Sequence, residues 1–162
     1  MIYTNRFDRS NKLITLFATL LMVATMFIGS TEPGTWYITV LLVLLNGSIL
    51  FFTWALHPRY YRIEGDNIII ERFIKRIEIP FADITEVKAA EPELISGSMR
   101  VLGSGGLFGL YGKFKNRQLG NYLMYVTNRK KMILLRCKDQ LYVISPEDRD
   151  GFIAEVRKHL AA

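Results

Sequence analysis

Two long apolar runs, followed by a succession of short alternating segments, divide the chain into two parts. Residues 13–31 and residues 33–58 contain no Asp, Glu, Lys or Arg. A helix needs about 20 apolar residues to cross the hydrocarbon core of a bilayer, and both runs meet that length. Pro33 and Gly34, where the second run begins, are typical of a tight turn between antiparallel helices. The pattern therefore predicts a two-helix transmembrane hairpin over residues 13–58.

Each run has an alternative interpretation. The basic residues ahead of the first run allow a cleaved signal peptide, but the run exceeds the roughly 7–15 apolar residues of a signal-peptide core and a second run follows at once. The second run could be the buried helix of a protein core. However, Trp36, Tyr37 and Trp54 lie at its two ends, which is typical of the aromatic belts at membrane interfaces. We therefore interpret both runs as membrane spans.

The charges that flank the hairpin predict its orientation. The connection between the runs carries only Glu32, whereas basic residues lie at both outer ends, namely Arg6, Arg9, Lys12, Arg59 and Arg62. Because basic flanks stay on the cytoplasmic side, both termini are expected in the cytoplasm. The chain is thus predicted to be a multi-pass protein of the plasma membrane. Its expected parts are a cytoplasmic segment 1–12, the hairpin 13–58 and a cytoplasmic domain 59–162.

Three polar or small residues, Asn46, Gly47 and Ser48, lie at the centre of the second run. At membrane depth such residues usually serve close packing between helices. A transport or ion site is the alternative, but neither span contains the Asp, Glu, Lys or Arg that marks such sites. We therefore predict that Asn46, Gly47 and Ser48 are transmembrane packing residues.

After residue 59, short segments rich in β-branched and aromatic residues are separated by turn signals. Residues 65–67, 128–130 and 138–140 are such signals. Residues 128–130 are expected to form a hairpin turn, and residues 138–140 turn the chain into the last strand. About seven mostly antiparallel strands result from this pattern.

The final segment has helical periodicity, since apolar residues recur at Phe152, Ile153, Val156 and Leu160. Ser145 is a suitable N-cap for this helix and Pro146 a suitable first residue. Seven strands followed by one helix describe an open barrel whose end is plugged by the apolar face of the helix.

Two stretches resemble the bacterial pleckstrin-homology-like (PH-like) domain families, which often follow transmembrane segments. Residues 77–87, IEIPFADITEV, resemble the strand–turn–strand signature of these families, and residues 119–156 resemble their last three strands and helix. The resemblance covers roughly residues 59–160 and implies a mainly β PH-like barrel of about seven antiparallel strands with one C-terminal α-helix. The helix tryptophan of eukaryotic phosphoinositide-binding PH domains is absent, so a phosphoinositide site is not implied.

The segment 101–122, VLGSGGLFGLYGKFKNRQLGNY, contains six of the twelve glycines in the chain. It does not fit a nucleotide loop, because Leu107 occupies the position of the first P-loop glycine and Phe114 that of the Ser or Thr. A dinucleotide fingerprint would need glycine where Phe108 stands. Two interpretations remain, a flexible solubilising loop and a contact loop.

Aromatic residues beside cations favour the contact loop, because such a surface suits a headgroup layer or a partner protein. The predicted contact residues are Phe108 and Tyr111, which insert, and Lys113, Lys115 and Arg117, which pair with phosphate. Residues 94–138 contain no acid at all. Each basic residue near an anionic leaflet contributes about 1 kcal/mol, so three or four could hold a domain to the membrane.

Candidate catalytic chemistry is sparse. Cys137 lies in an apolar strand pattern, and His57 and His159 have no spacing that suggests a shared metal. We therefore predict no enzyme activity, no catalytic or metal site and no cofactor. The net charge of +6 is explained more simply by anionic lipid than by nucleic acid, because no recognition motif is present.

The sequence thus predicts a membrane-anchored, non-enzymatic binding or scaffold protein. Its PH-like domain is expected to contact lipid headgroups, a protein partner or a second copy of itself at the cytoplasmic face. The alternative is an accessory subunit that docks on a membrane complex through its transmembrane hairpin.

Overall fold

The computed structural model describes residues 1–28, 34 and 36–161, and within these residues the chain forms three α-helices and ten β-strands. The turn predicted between the two apolar runs lies outside the described residues, apart from Gly34. Gly34 has a φ angle of 91°, in the left-handed region that glycine adopts most easily.

Two long helices correspond to the two apolar runs. Helix α1 comprises Arg9–Ile28 and helix α2 comprises Trp36–Leu56. Among the described residues, α2 is the one helix long and apolar enough to cross a membrane. α1 begins with the polar residues 9–12, so its described apolar part is shorter than a typical span. The prediction of two spans is therefore supported for the second run only.

The first of two sheets joins the beginning of the chain to the segment that follows α2. Its antiparallel strands pair in the order β1 (Ile2–Thr4), β2 (Tyr60–Glu64), β3 (Asn67–Glu71) and β4 (Ile77–Pro80). Tyr3 of β1 lies opposite Tyr61 of β2. The segment ahead of the helices, predicted to be separate, therefore contributes a strand to the β domain.

The second sheet contains the remaining six strands of the described chain. In sequence order they are β5 (Ile84–Ala90), β6 (Met99–Gly106), β7 (Gly109–Asn116), β8 (Gly120–Val126), β9 (Met132–Cys137) and β10 (Leu141–Ile144). They pair in the order β5-β9-β10-β8-β7-β6, so β5 and β6 form the two edges.

This architecture corrects the predicted barrel of about seven antiparallel strands, because ten strands form two separate sheets. The additional strands are β1 and the hairpin β6–β7, which the sequence pattern had suggested to be a loop. Residues 128–130, predicted as a hairpin turn, connect β8 to β9 although the two do not pair. β10 inserts between them and is parallel to β8 and antiparallel to β9.

The main core lies between the two sheets and the C-terminal helix α3, Arg149–Ala161. Phe152 and Val156 of α3 are fully buried, as the helical periodicity predicted, whereas Leu160 is exposed. The Phe152 ring meets the Tyr3 ring edge to face, with centroids 4.9 Å apart. β1 and α3 therefore close the same part of the core.

The predicted cap of α3 is wrong. Ser145 is buried at the end of β10, where its hydroxyl accepts the backbone N–H groups of Thr127 and Asn128 at 2.9 and 3.2 Å. The helix begins at Arg149 instead, and the Asp148 carboxylate accepts the Gly151 N–H at 3.0 Å. Aspartate is an equally favourable N-cap, and the serine is already engaged by the strand connection.

A second apolar cluster covers the opposite face of the six-stranded sheet. It includes Leu110, Phe114, Met124 and Leu134. Residues 91–98, which we call the covering segment, contain a short 3-10 turn, Pro92–Ile95, and pack part of this face. The rest of the face near the β6 edge borders a groove.

Candidate functional site

The glycine-rich segment is an ordered hairpin with the two-residue turn Leu107-Phe108. Gly103 of β6 lies directly opposite Gly112 of β7. A Cβ atom at Gly103 would overlap the carbonyl oxygen of Tyr111, and one at Gly112 would overlap that of Leu102. The φ angles of the two glycines are 121° and 116°, which other residues rarely adopt. These glycines therefore allow a close approach of two backbones.

The tip of this hairpin rests on both long helices. The Phe108 N–H donates to the Thr15 hydroxyl of α1 at 3.1 Å. The Tyr111 hydroxyl donates to the Thr53 carbonyl of α2 at 2.7 Å. Burial raises the pKa of Tyr111 to about 12, so the phenol remains a donor at physiological pH. The hairpin tip thus joins the β domain to the helix pair.

The start of α1 is fixed to the β domain by a second set of bonds. Asp8 caps the helix by accepting the Asn11 N–H at 2.7 Å, and its other carboxylate oxygen accepts the Arg129 N–H at 3.2 Å. The Asp8 N–H and the Asn11 side-chain amide both donate to the Thr127 carbonyl, at 3.1 and 2.6 Å. The polar first turn of α1 therefore belongs to the junction with the domain.

Aromatic rings pack together at the C-terminal end of α2. The His57 ring is buried, with ring centroids at 5.8 Å from Phe7, 6.4 Å from Trp54 and 6.2 Å from Phe108. The rings therefore connect the segment before α1, the end of α2 and the hairpin tip.

The β3–β4 loop, residues 72–76, exposes apolar side chains beside this junction. Phe73 is 56 % exposed and Ile74 is 37 % exposed. The Phe73 ring lies 5.1 Å from the Trp54 ring, and the Ile74 N–H donates to the Ala55 carbonyl at 3.2 Å. The loop therefore projects apolar surface at the level where α2 ends.

Sequence reasoning missed this loop, although its signal is readable. The stretch RFIKR places Phe73 and Ile74 between Arg72 on one side and Lys75 and Arg76 on the other. Apolar residues between cations are the pattern that pointed to the glycine-rich segment. Residues 72–76 form a short loop, and the side chains of Phe73 and Ile74 stay exposed instead of packing into a core.

The structure does not bring the predicted contact residues together. Phe108 is half-buried at the helix junction, while Lys113, Lys115 and Arg117 are exposed on β7 and in the turn beyond it. A strand rises about 3.3 Å per residue, so Lys115 lies roughly 20 Å along β7 from the hairpin tip. Tyr111 is 4 % exposed, which corrects the prediction that its ring inserts into headgroups.

The predicted packing residues of α2 differ in their surroundings. The Asn46 amide is buried between the helices, where it donates to the Leu42 carbonyl at 2.9 Å and lies 3.5 Å from the Thr25 hydroxyl of α1. Gly47 and Ser48 are exposed on the helix surface. Asn46 is therefore the residue of the three that joins α2 to α1.

Groups that could support catalysis are dispersed over the described part of the chain. No three His, Cys, Asp or Glu residues there lie together in a way that could hold a metal ion. Cys137 is half-buried, and burial raises the pKa of its thiol to about 11, with a smaller contribution from Asp83. A thiol with this pKa is a poor nucleophile at neutral pH.

Comparison with known proteins identifies the β domain. Residues 59–160 match the family model of the bacterial PH domain. The chain belongs to the bacterial PH domain family. The match begins directly after α2, so β1 lies outside it although β1 completes the first sheet. The prediction from residues 77–87 and 119–156 is confirmed.

One relative is an uncharacterized protein of Clostridium acetobutylicum, which is 32 % identical to this bacterial PH protein over 77 residues. The match covers 48 % of this chain and 25 % of the relative, so the chain spans about a quarter of that protein. No solved structure matches the chain significantly. Family membership supports at most a binding or scaffold role.

Proposed function

We propose that this chain is a membrane-anchored, non-enzymatic binding module, in which a helical hairpin holds the bacterial PH domain against the cytoplasmic face of the plasma membrane. One observation carries the proposal: the two strands that flank the helix pair belong to the same sheet of the β domain. β1 precedes α1, β2 follows α2, and the two strands pair. A chain that leaves the domain through one helix thus returns to it through the other, as a membrane hairpin requires.

Exposed apolar side chains on α1 support its insertion beside α2. The large apolar residues of α1 that are more than half exposed are Leu13, Leu16, Phe17, Leu20 and Leu21. A contiguous exposed apolar surface marks contact with a membrane or with another protein. An 18-residue window of α2 has a mean hydropathy of 2.0, and Thr53 accepts the hydrogen bond from Tyr111 near the domain end of the helix. Residues 36–52, which precede Thr53, form about 25 Å of helix, close to the hydrocarbon thickness of a bilayer.

The surface around the helix junction has the chemistry of a headgroup contact. The β3–β4 loop offers Phe73 and Ile74, and exposed cations surround the helix ends at Arg9, Lys12, Arg59 and Lys75. Each cation near an anionic leaflet contributes about 1 kcal/mol. In this arrangement Lys115 and Arg117 lie roughly 20 Å or more along the hairpin from its tip, so we assign them to a protein partner rather than to the same leaflet.

Fluorescence quenching in nanodiscs tests this orientation. The full-length protein carries a single environment-sensitive label at Ile74→Cys or, as the matched control, at Arg117→Cys, both in a Cys137→Ser background. Lipids with a spin-labelled headgroup should quench the label at position 74 strongly and the label at position 117 little. Equal quenching at both positions would contradict the proposed orientation.

Accessibility in intact cells tests the cytoplasmic location. A membrane-impermeant maleimide should leave Arg117→Cys unlabelled until the cells are permeabilised. Labelling from outside would place the domain on the opposite face and refute this part of the proposal.

The accessory-subunit alternative is favoured by one observation. Gly47 and Ser48 leave a shallow, exposed surface at the middle of α2, facing away from the buried Asn46. Small residues allow another helix to approach closely in a membrane. If this surface docks on a complex, Gly47→Leu should abolish co-purification of partner subunits while insertion is retained.

A further inference from the structure

A polar groove of about 660 Å³ lies between the covering segment and the outer face of the hairpin β6–β7. Its floor is apolar and includes Leu110, Phe114 and Met124, and its polar lining includes Arg100 and Arg129. None of the residues that line it is acidic. The groove is therefore large enough for a headgroup-sized molecule and electrostatically positive.

The two arginines of the groove have no carboxylate partner among the described residues. Neither guanidinium forms an ion pair there, whereas Arg62, Arg136 and Arg149 each pair with a carboxylate. The Nε atom of Arg129 is buried and has no hydrogen-bond acceptor within the described chain. A buried guanidinium N–H without a partner is costly, so an acceptor from outside the chain would stabilise it.

The local fold holds the Arg129 backbone in place and leaves the Arg100 side chain lying on the surface beside Gly105. The Arg129 backbone N–H is bound by the Asp8 cap, and both Asp8 oxygens are engaged by backbone N–H groups. Arg100 lies across the surface above Gly105, where a Cβ would contact its guanidinium at 3.4 Å. A side chain at position 105 would reduce the space that this guanidinium now occupies.

The ligand chemistry follows from these donors. A guanidinium presents a planar set of N–H groups that matches phosphate oxygens in a bidentate way. We propose that the groove binds a phosphate group between Arg100 and Arg129, with the apolar floor accepting the organic part of the same molecule. This inference rests on the proposed function, because Asp8 places the Arg129 end of the groove beside the start of α1.

Phosphate could come from a phospholipid headgroup or from a soluble phosphate, and the experiment separates the two. Full-length protein in neutral detergent is titrated with phosphatidylglycerol or phosphatidylcholine and measured by native mass spectrometry. Separate titrations with inorganic phosphate and glycerol phosphate use calorimetry. We expect one saturable phosphatidylglycerol site with at least tenfold preference over phosphatidylcholine.

A matched pair of variants locates that site. Arg100→Gln/Arg129→Gln should weaken phosphatidylglycerol binding at least tenfold, whereas Lys113→Gln/Lys115→Gln, with the same charge loss on β7, should weaken it less than twofold. Arg100→Gln alone changes an exposed residue and keeps the test valid if the double variant fails to fold. It should weaken binding at least threefold.

Each other outcome is decisive. Equal weakening by both double variants would overturn the groove and leave only diffuse charge attraction. Arginine-dependent binding of soluble phosphate without lipid binding would keep the phosphate site and exclude the lipid source. No binding of any probe would overturn the inference, while headgroup quenching at position 74 would still report on the proposed function independently.

Discussion

The hairpin β6–β7 and the β3–β4 loop both reach the helix pair, but they do so with opposite chemistry. The hairpin uses glycine backbones and a buried tyrosine to fit against the helices. The loop leaves Phe73 and Ile74 exposed beside the same helix ends. Glycine and aromatic residues in a sequence therefore indicate a tight internal fit as readily as an external contact, and exposure distinguishes the two.

The largest effect should come from the paired glycines of the hairpin. Gly103→Ala introduces a Cβ that overlaps a backbone carbonyl, so we expect a loss of about 3 kcal/mol or more in the free energy of unfolding. Gly120→Ala is the control, since its φ of 69° is also positive but its Cβ meets no atom within 4 Å. It should cost about 1–2 kcal/mol. Denaturant unfolding of both variants in detergent measures the difference. Equal losses in the free energy of unfolding would show that the close approach of β6 and β7 does not add to the cost of the substitution.

The next effect concerns the hydroxyl that joins the hairpin to α2. Tyr111→Phe removes the hydrogen bond to the Thr53 carbonyl, and we expect a loss of about 1–2 kcal/mol. Tyr37→Phe changes an exposed tyrosine at the other end of α2 and should cost less than about 0.5 kcal/mol. Hydrogen exchange at the start of β7 should increase in the first variant only. Unchanged exchange would mean that the junction is held without this bond.

A smaller effect on stability is expected for the loop. Ile74→Ser changes a partly exposed residue, so the free energy of unfolding should change by about 0.5 kcal/mol or less. Headgroup quenching of a label at the neighbouring Lys75→Cys should nevertheless fall. A large loss of stability without a change in quenching would make the loop a packing element like the hairpin.

The last prediction concerns the rate at which the native cysteine reacts, and it involves no change in stability. Because burial raises the Cys137 pKa from 9.0 to about 11, little thiolate exists at pH 8, and alkylation by iodoacetamide should be at least tenfold slower than at Arg117→Cys. The rate at Cys137 should increase as the pH rises toward 11, because deprotonation forms the reactive thiolate. A fast reaction at pH 8 would show that the strand β9 opens locally.

The fold was predictable where short-range patterns dominate. The helical run 36–56, the strands after residue 59 and the buried face of α3 follow from periodicity, and residues 77–87 and 119–156 carry the family resemblance. Long-range pairing was not predictable. β1 has only three residues and pairs across both helices, and β10 separates two strands that are neighbours in the sequence.

The contact site predicted in the glycine-rich segment stays a prediction, but the structure separates the residues that the prediction grouped. Exposed apolar residues beside cations occur in residues 72–76 next to the helix ends, where the glycine-rich hairpin contributes the half-buried Phe108. The extended hairpin separates Phe108 from the cations that sequence proximity had grouped with it. Side chains alternate between the two faces along a strand, so Tyr111 enters the main core while its neighbour Leu110 enters the second apolar cluster.

The pairing of β1 with β2 also determines the order in which the protein can be made. Tyr3 leaves the ribosome long before its partner Tyr61, and the whole helix pair is synthesised in between. β1 therefore stays unpaired until β2 has emerged after the second helix, and only then can the first sheet close. Under the proposed membrane anchoring, closure of this sheet would couple final folding of the domain to completed insertion of the helices.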